Sequence, residues 1–412
     1  PLYSSAASDV YKRQEQELPE VDALATIVKV EGMHRIADTF GPIPYVNYGS
    51  SSLYDALDLV YNKFFEELDN AIEVLSNYVN GNVDAKLMSD YDCVYGGDVE
   101  KWVKFANTLR LRLAIRVSYA NPTLAEAQAK KSMENMFGFI ESKAERAELS
   151  HNSLEYHHPL HEIAYNFNSG DCRPGATIVA YLNGLNDSRI SSYFTTAGDG
   201  EYHGVRIGIT TSNMSNYQGN KISNLNINRA STPVVWMTAA ESFFLRAEGA
   251  LRGWTMGGTA KSFYEQGVRM SFEENNAAGV DDYLADNTST PGAFADNVGS
   301  DNYTFSSKVT PAWDDNADFE GQLERIITQK WIAIYPDGPE GWSEYRRTGY
   351  PEVIPVVRNS SNGTIDTELQ VRRLPYTRDE KINNASGVAS GISALGGQDT
   401  GGTKLWWDKK SR

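Results

Sequence analysis

Disulfide chemistry is nearly absent from this 412-residue chain, which holds two cysteines, Cys93 and Cys172. Two thiols cannot define a disulfide framework, and their spacing does not decide whether they pair. Basic charge is also scarce: 38 Lys and Arg stand against 54 Asp and Glu, for a formal net charge of −16. Such a surface repels phosphate backbones and anionic lipid, which sets nucleic-acid binding aside. No apolar run reaches the roughly 18 residues that a membrane-spanning helix needs, and no secretory signal is visible. Common catalytic fingerprints are missing too: there is no HExxH, no G-x-S-x-G, no P-loop and no dinucleotide-binding glycine pattern. The Gly-Gly pairs at 396–397 and 401–402 lack the strand before and helix after that a phosphate cradle requires.

Aromatic residues, by contrast, are plentiful, with 23 Tyr, 15 Phe and 8 Trp, and an apolar fraction of 41% suffices for a packed core. The stretch from Val235 to Phe272 reads as two helices joined by a turn at Gly257-Gly258, with Thr259 capping the second. Phe243, Phe244, Ala247, Ala250, Leu251 and Trp254 recur three and four apart on the first helix, and Phe263, Tyr264, Val268 and Phe272 line the second. Small residues facing aromatics in a helical hairpin resemble a tetratricopeptide-type repeat. One such hairpin cannot bury its own apolar face, so others must stack on it.

Other segments keep the same period. Leu24, Ile27, Val28 and Ile36 form a stripe over 21–38 that stops at the proline-rich DTFGPIPY. Ser52 with Asp55 reads as a variant capping box for a long helix to about Tyr78, with Leu53, Leu57, Val60, Phe64, Leu68, Ile72 and Leu75 inward. Asp98 caps a helix that buries Trp102, Phe105, Leu109, Leu113 and Val117; Arg110, Arg112 and Arg116 suit the negative end of its dipole. Asn121-Pro122 opens another helix, and Glu320 to Ile334 is a further one. The helical scaffold thus covers about 20–150 and 235–350. Segments 151–233 and 276–319 are loop-rich insertions, with one short helix expected at Ala176 to Leu185, and 353–412 is a loop-like tail. Residues 1–14, PLYSSAASDVYKRQ, do not lead into the helical pattern that begins near residue 20, and they read as a non-native, adapter-derived segment. Residues 15–412 then form a single domain whose own N-terminus and export signal are missing. The expected fold is mostly α: a tetratricopeptide-like helical hairpin scaffold with a large irregular loop-rich ligand-binding half.

Seven segments carry a resemblance: DTFGPIPY at 38–45, GGDVEKWVKFANTLRLRLAIR at 96–116, LNGLNDSRISSYF at 182–194, AAESFFLRAEGALRGW at 239–254, ITQKWIAIYPDGPEGWSEYRRTGYP at 327–351, RRLPYTRDEKINN at 372–384 and LWWDKK at 405–410. In this order they make the chain resemble the SusD/RagB family of nutrient-binding outer-membrane lipoproteins, in its SusD-like branch, over nearly all of 20–412. The resemblance implies four repeat-like helix pairs and a ligand site in the irregular half. It also implies lipid anchoring on the extracellular face of the cell outer membrane. The implied partner is a SusC-like TonB-dependent transporter, which receives oligosaccharide or, in some branches, peptide. The family's lipid-bearing cysteine has no counterpart in this sequence, and neither Cys93 nor Cys172 is placed to serve as one.

A sugar ring is held by flat aromatic faces and by amide, hydroxyl and guanidinium groups. Tyr45, Asn47 and Tyr48, on a loop stiffened by Pro42 and Pro44, supply these types. So do Tyr165, Phe167, Asn168, Arg173, Tyr202, His203 and Tyr217 in the first insertion. The same residues suit a peptide. His157, His158, His161 and Glu162 have metal-ligand chemistry, but Pro159 interrupts the helix that would align them. Asp314, Asn316, Asp318 and Glu320 alternate as in a calcium loop, yet Phe319 stands at the glycine position and Arg325 at the closing one, so a solvated helix cap is the plainer reading. Glu248 pairs with Arg252 or Arg246, and Trp342, Tyr345, Arg346 and Arg347 belong to the scaffold. The expected activity is non-catalytic, cofactor-free capture of oligosaccharide for delivery to the transporter. The alternatives are a peptide-binding protein of the same family, a glycoside hydrolase built on paired carboxylates, and a scaffold that binds its transporter alone.

Overall fold

A computed structural model describes residues 18–82, 84, 86–149, 158–167, 172–209, 215–229, 231–296, 299 and 301–410. They fall into two compact units. One takes the chain up to Ile140 and again from Val371, and the other is Glu141–Gln370.

The first unit opens with α1 (Pro19–Phe40), α2 (Leu57–Gly81), α3 (Val99–Arg116) and α4 (Pro122–Glu134). Each packs on the next, so α1/α2 and α3/α4 are two successive hairpins. Asp98 and Asn121 cap α3 and α4 as their side chains predict, accepting the amides of Lys101 and Leu124. The start of α2 differs from expectation. Ala56 is its N-cap and Leu53, half exposed, lies outside it. Asp55 instead collects the amides of Tyr45 (2.9 Å) and Val46 (2.7 Å), a stronger use of a carboxylate than a second cap. The α3 arginines are not dipole partners at the surface. Arg110, Arg112 and Arg116 are buried, and pair with Asp69 (2.8 Å), Glu31 (3.5 Å) and Asp38 (3.2 Å).

The second unit carries β1 (Ala147–Leu149), α5 (Ala176–Gly184), β2 (Phe194–Thr195), β3 (Asn224–Leu225) and β4 (Val234–Met237). It continues with α6 (Ala239–Leu251), α7 (Ala260–Glu274), α8 (Phe319–Ala333) and α9 (Gly338–Thr348). The pairs β1/β4 and β2/β3 are short antiparallel ribbons. Helices α6/α7 and α8/α9 form two further hairpins, and α8 also packs on α6 and α7, which gives the expected four helix pairs. Thr259 caps α7 in a capping box. Helix α6 ends earlier than predicted, at Leu251, because Gly253 takes φ +84° two residues on; Trp254 is therefore outside it. The 276–319 segment contains a short helix, Val280–Ala285.

Buried charge ties these helices together. Arg347 makes two bonds of 2.6 Å to Glu248 and two to Glu344, at 2.6 and 3.2 Å. Lys330 lies 3.0 Å from Glu340 and 3.4 Å from Glu241. Arg189, from the LNGLNDSRISSYF segment, is also fully buried. It bonds Asp187, Ser271 and Gln329 and covers the rings of Phe272 and Tyr283.

The tail is not loop-like throughout. It forms a short helix at Arg378–Asn383 and then α10 (Ala385–Leu395), each begun by a side-chain cap, Thr377 and Asn384. The alternation of small residues in ASGVASGISAL hides its period. The closing LWWDKK returns to the first unit: Trp407 Nε1 donates to Asp38 (2.8 Å), which also accepts from Tyr61 (2.5 Å), and Asp408 pairs with Arg372 (2.5 Å). Among the described residues Cys93 and Cys172 form no disulfide.

Candidate ligand-binding site

Helix α5 supplies the floor of a concave site in the second unit. Val179 and Ala180 give it an apolar base, and Asn183 stands exposed at its side. Two loops lie against this helix, and glycine lets them come close. A Cβ on Gly184 would meet the Gly292 nitrogen at 1.9 Å, and one on Gly204 would meet the Ala176 Cα at 2.8 Å. The loops are then bonded down: the Gly292 amide donates to the Ala180 carbonyl (3.1 Å) and the Ala176 amide to that of Val205 (2.9 Å).

The 197–205 loop brings Glu201, Tyr202 and His203 to the site. The Tyr202 carbonyl accepts from Asn183 Nδ2 (3.2 Å), while the His203 amide donates to Ser223 (3.0 Å). His203 Nε2 lies 2.7 Å from Asp199, and this hydrogen bond holds the Asp199 carboxyl below its ordinary value. Opposite stand Phe294 and Asp296, the latter positioned by an Asn302 side chain that accepts its amide (2.8 Å). Tyr217 closes the arrangement by donating to both Asp296 oxygens, at 3.0 and 2.9 Å. Burial, together with the hydrogen bond and charge of Asp296, pushes the Tyr217 hydroxyl up to about 12, so it stays a donor at any physiological pH. The enclosed volume is about 240 Å³. That is below the ~300–1,000 Å³ that suits drug-sized ligands, and fits about one sugar ring or one side chain with its backbone.

Three of the sequence candidates, Tyr202, His203 and Tyr217, therefore share one cavity. Tyr165, Phe167 and Arg173 are on the same unit but do not line it. Tyr165 donates to the Leu225 carbonyl and stacks on His161 at 4.7 Å, whereas Phe167 is 63% exposed. Asn168 lies outside the described residues, as does His157. In the first unit Tyr45 is an anchoring residue, edge-on to Phe64 at 4.8 Å with its hydroxyl on Glu67. Asn47 Nδ2 donates to Asp55 (2.9 Å), and Tyr48 is 80% exposed. The contributors that sequence reasoning missed are Asn183, Glu201 and Asp296. Asn183 lies in the LNGLNDSRISSYF segment and Glu201 is next to Tyr202, but nothing in the sequence brings 292–296 onto α5 except the small Gly184 and Gly292.

A larger, more open depression of about 530 Å³ lies along Tyr303, Ser306, Glu324, Tyr350 and Glu352. Its central carboxylate is already saturated: Glu352 accepts from Ser306 N (2.9 Å), Ser306 Oγ (2.8 Å), Ser307 N (2.7 Å) and Tyr303 (2.8 Å). Burial would raise that carboxyl, but these donors hold it low, which marks a structural clasp more than a receptor. Asp318, from the calcium-like alternation, caps α8 by accepting the Gly321 amide (2.9 Å). Among the described residues no His, Cys, Asp and Glu cluster has metal-site geometry.

A family profile described as Susd and RagB outer membrane lipoprotein matches residues 2–408. Three solved structures superpose closely. A chitin-binding SusD homolog from Flavobacterium johnsoniae is 42% identical with a TM-score of 0.93, over 98% of this chain and 84% of its own. A SusD homolog from Bacteroides uniformis is 42% identical with a TM-score of 0.90, over 99% and 84%. A SusD-like protein from Bacteroides thetaiotaomicron is 40% identical with a TM-score of 0.90, over 97% and 84%. No curated protein sequence matches the chain.

Proposed function

The chain belongs to the SusD-like family of SusD and RagB outer membrane lipoproteins, and from that premise we propose that it captures an oligosaccharide at the cell surface and hands it to a SusC-like transporter. The observation that carries this reading is the single cavity where Tyr202 and Tyr217 stand with Asn183, His203 and Asp296 over an apolar floor. Aromatic faces with neighbouring amide and carboxylate groups suit the two-sided chemistry of a pyranose ring. The similarity to a chitin-binding homolog makes β-1,4-linked N-acetylglucosamine oligomers the first ligands to try.

The role requires no bond to be broken. Asp296 accepts from Tyr217 through both oxygens, an arrangement suited to holding a wall in place and poorly suited to giving up or taking a proton. A protein that must release its cargo gains from moderate affinity, roughly micromolar, or about −8 kcal/mol. Attachment to the membrane would come through a lipid, as in the family; none of the described helices is long and apolar enough to cross a bilayer.

Calorimetry against N-acetylglucosamine oligomers, other glycans and peptides, with chromatography of the mixtures, tests the proposal. Heat with a glycan and unchanged ligand is the expected result. Heat with peptides alone would transfer the protein to the peptide-binding reading, and shortened glycans would make it a hydrolase.

A further inference from the structure

Tyr165, Phe167 and Arg173 stand outside the cavity but share a setting of their own. The chain before them makes one helical turn, Pro159–His161, that widens into a π turn, Glu162–Asn166. Such windings are rare and concentrate at functional sites. Two apolar side chains four residues apart are left in solvent there, Ile163 at 44% and Phe167 at 63% exposure.

Single exposed apolar side chains are commonplace on a loosely held loop. This segment is tied down. The Tyr165 hydroxyl donates to the Leu225 carbonyl, Asn224 Nδ2 donates to the Ala164 carbonyl (3.4 Å), and Arg229 pairs with Glu162 (3.3 Å). His161 stacks on the Tyr165 ring with 27° between the planes, so a ring fixed at its hydroxyl is also fixed in orientation. Arg173 adds a donor. Burial raises the Tyr165 hydroxyl and the charge of Arg173 draws it back, which places the guanidinium close by. Its Nε is buried with no partner among the described residues.

The group is continuous with the cavity through β3. Ile222 lines the cavity, Ser223 accepts the His203 amide (3.0 Å), and two residues on Leu225 holds Tyr165. Ile222 and β3 are extended, so about 10 Å of backbone leads from one to the other.

From this continuity we infer that Tyr165, Phe167 and Arg173 form a second subsite for the same glycan, taking the rings that project from the cavity. The cavity holds about one ring, so the rest of a longer chain must lie outside it. A fixed tyrosine face and an exposed phenylalanine suit the apolar faces of those rings, and a guanidinium suits their hydroxyls. The inference rests on the oligosaccharide-binding reading and extends it: the protein grades its ligands by length.

Calorimetry on the intact chain with an N-acetylglucosamine dimer and hexamer tests this, for the wild type, Phe167→Ala and Tyr165→Ala, with a melting curve for each. Phe167→Ala decides the matter, because so exposed a side chain can be removed with the fold intact; Tyr165→Ala also loses the bond to Leu225. A hexamer gains affinity from its many registers alone, so each variant is compared with the wild type at one ligand length. Both substitutions should weaken the hexamer by about two- to tenfold, the worth of one stacked ring, and leave the dimer within about twofold. If Phe167→Ala leaves the hexamer unchanged, or weakens dimer and hexamer alike, the second subsite is overturned while sugar binding stands. If neither oligomer binds the wild type, the N-acetylglucosamine reading fails and the subsite falls with it.

Discussion

Replacing Arg347 with alanine should be among the most damaging single changes in the second unit. Its guanidinium is fully buried and bonds Glu248 and Glu344, whose side chains are 2% and 1% exposed. The variant leaves two carboxylates in the α6/α8/α9 core; Glu248 retains Arg252 (2.7 Å) and Glu344 has the more distant Lys330 (3.7 Å). Breaking a buried pair from one side costs about 3–5 kcal/mol, because the carboxylates lose their bidentate partner and are not rehydrated. For a unit of about this size each kcal/mol moves Tm by ~2–4 °C, so a fall of roughly 6–20 °C is expected by calorimetry or circular dichroism. Acid should act through the same bonds. Burial by itself raises the Glu248 carboxyl, but Arg347 and Arg252 outweigh it and hold it below its ordinary 4.5. A carboxylate depressed in the folded state contributes stability above its unfolded pKa, and loses it as pH falls through the folded one. The wild-type advantage over Arg347→Ala should therefore be full above pH 4.5 and shrink below it. A Tm change under about 2 °C, or an advantage that grows in acid, would refute this account of the network.

Three further outcomes rest on named contacts. Tyr202→Ala and Tyr217→Ala should each weaken glycan binding by about two- to tenfold, the worth of one stacked ring, as calorimetry checks; Tyr217→Ala should also lower Tm, because it removes two hydrogen bonds from the buried Asp296. Glu274 caps the start of α6 through the amides of Ala239 (2.8 Å) and Ala240 (3.4 Å), and burial, opposed by those amides, raises its carboxyl to about 7. Because the folded state holds this proton more tightly, the stability it contributes is present below pH 4.5 and lost as pH rises through 7. Glu274→Gln should thus flatten the fall in Tm between those limits, as a melting series across pH would reveal. Asp55→Ala should free the 45–47 backbone, seen as faster amide exchange at Tyr45 and Val46, since one carboxylate accepts both amides.

Where a side chain acts on its own backbone, the sequence was readable. Asp98, Asn121 and Thr259 cap helices as their types and neighbours foretell. The Val235–Phe272 hairpin comes from its period. Long-range acts were not readable. Asp55 fits a cap pattern, yet its carboxylate serves a loop about ten residues back. Arg110, Arg112 and Arg116 look like surface cations and prove to be core ion pairs. Within the cavity Tyr202, His203 and Tyr217 were legible as a polar aromatic group. Asp296 was not, because its place there depends on Gly184 and Gly292 touching across more than a hundred residues. Tyr45 shows the converse: an aromatic on a stiff loop suggests a ligand platform, but Phe64 and Glu67 already occupy its ring and hydroxyl.

The most direct measurement of the central claim is calorimetric titration of the wild-type chain with an N-acetylglucosamine oligomer, repeated with Tyr202 and Tyr217 both changed to alanine. Saturable binding near the micromolar range, lost in the double variant while it remains folded and the oligomer stays intact, is the predicted result. Unchanged affinity in the double variant would place the ligand elsewhere and contradict the account.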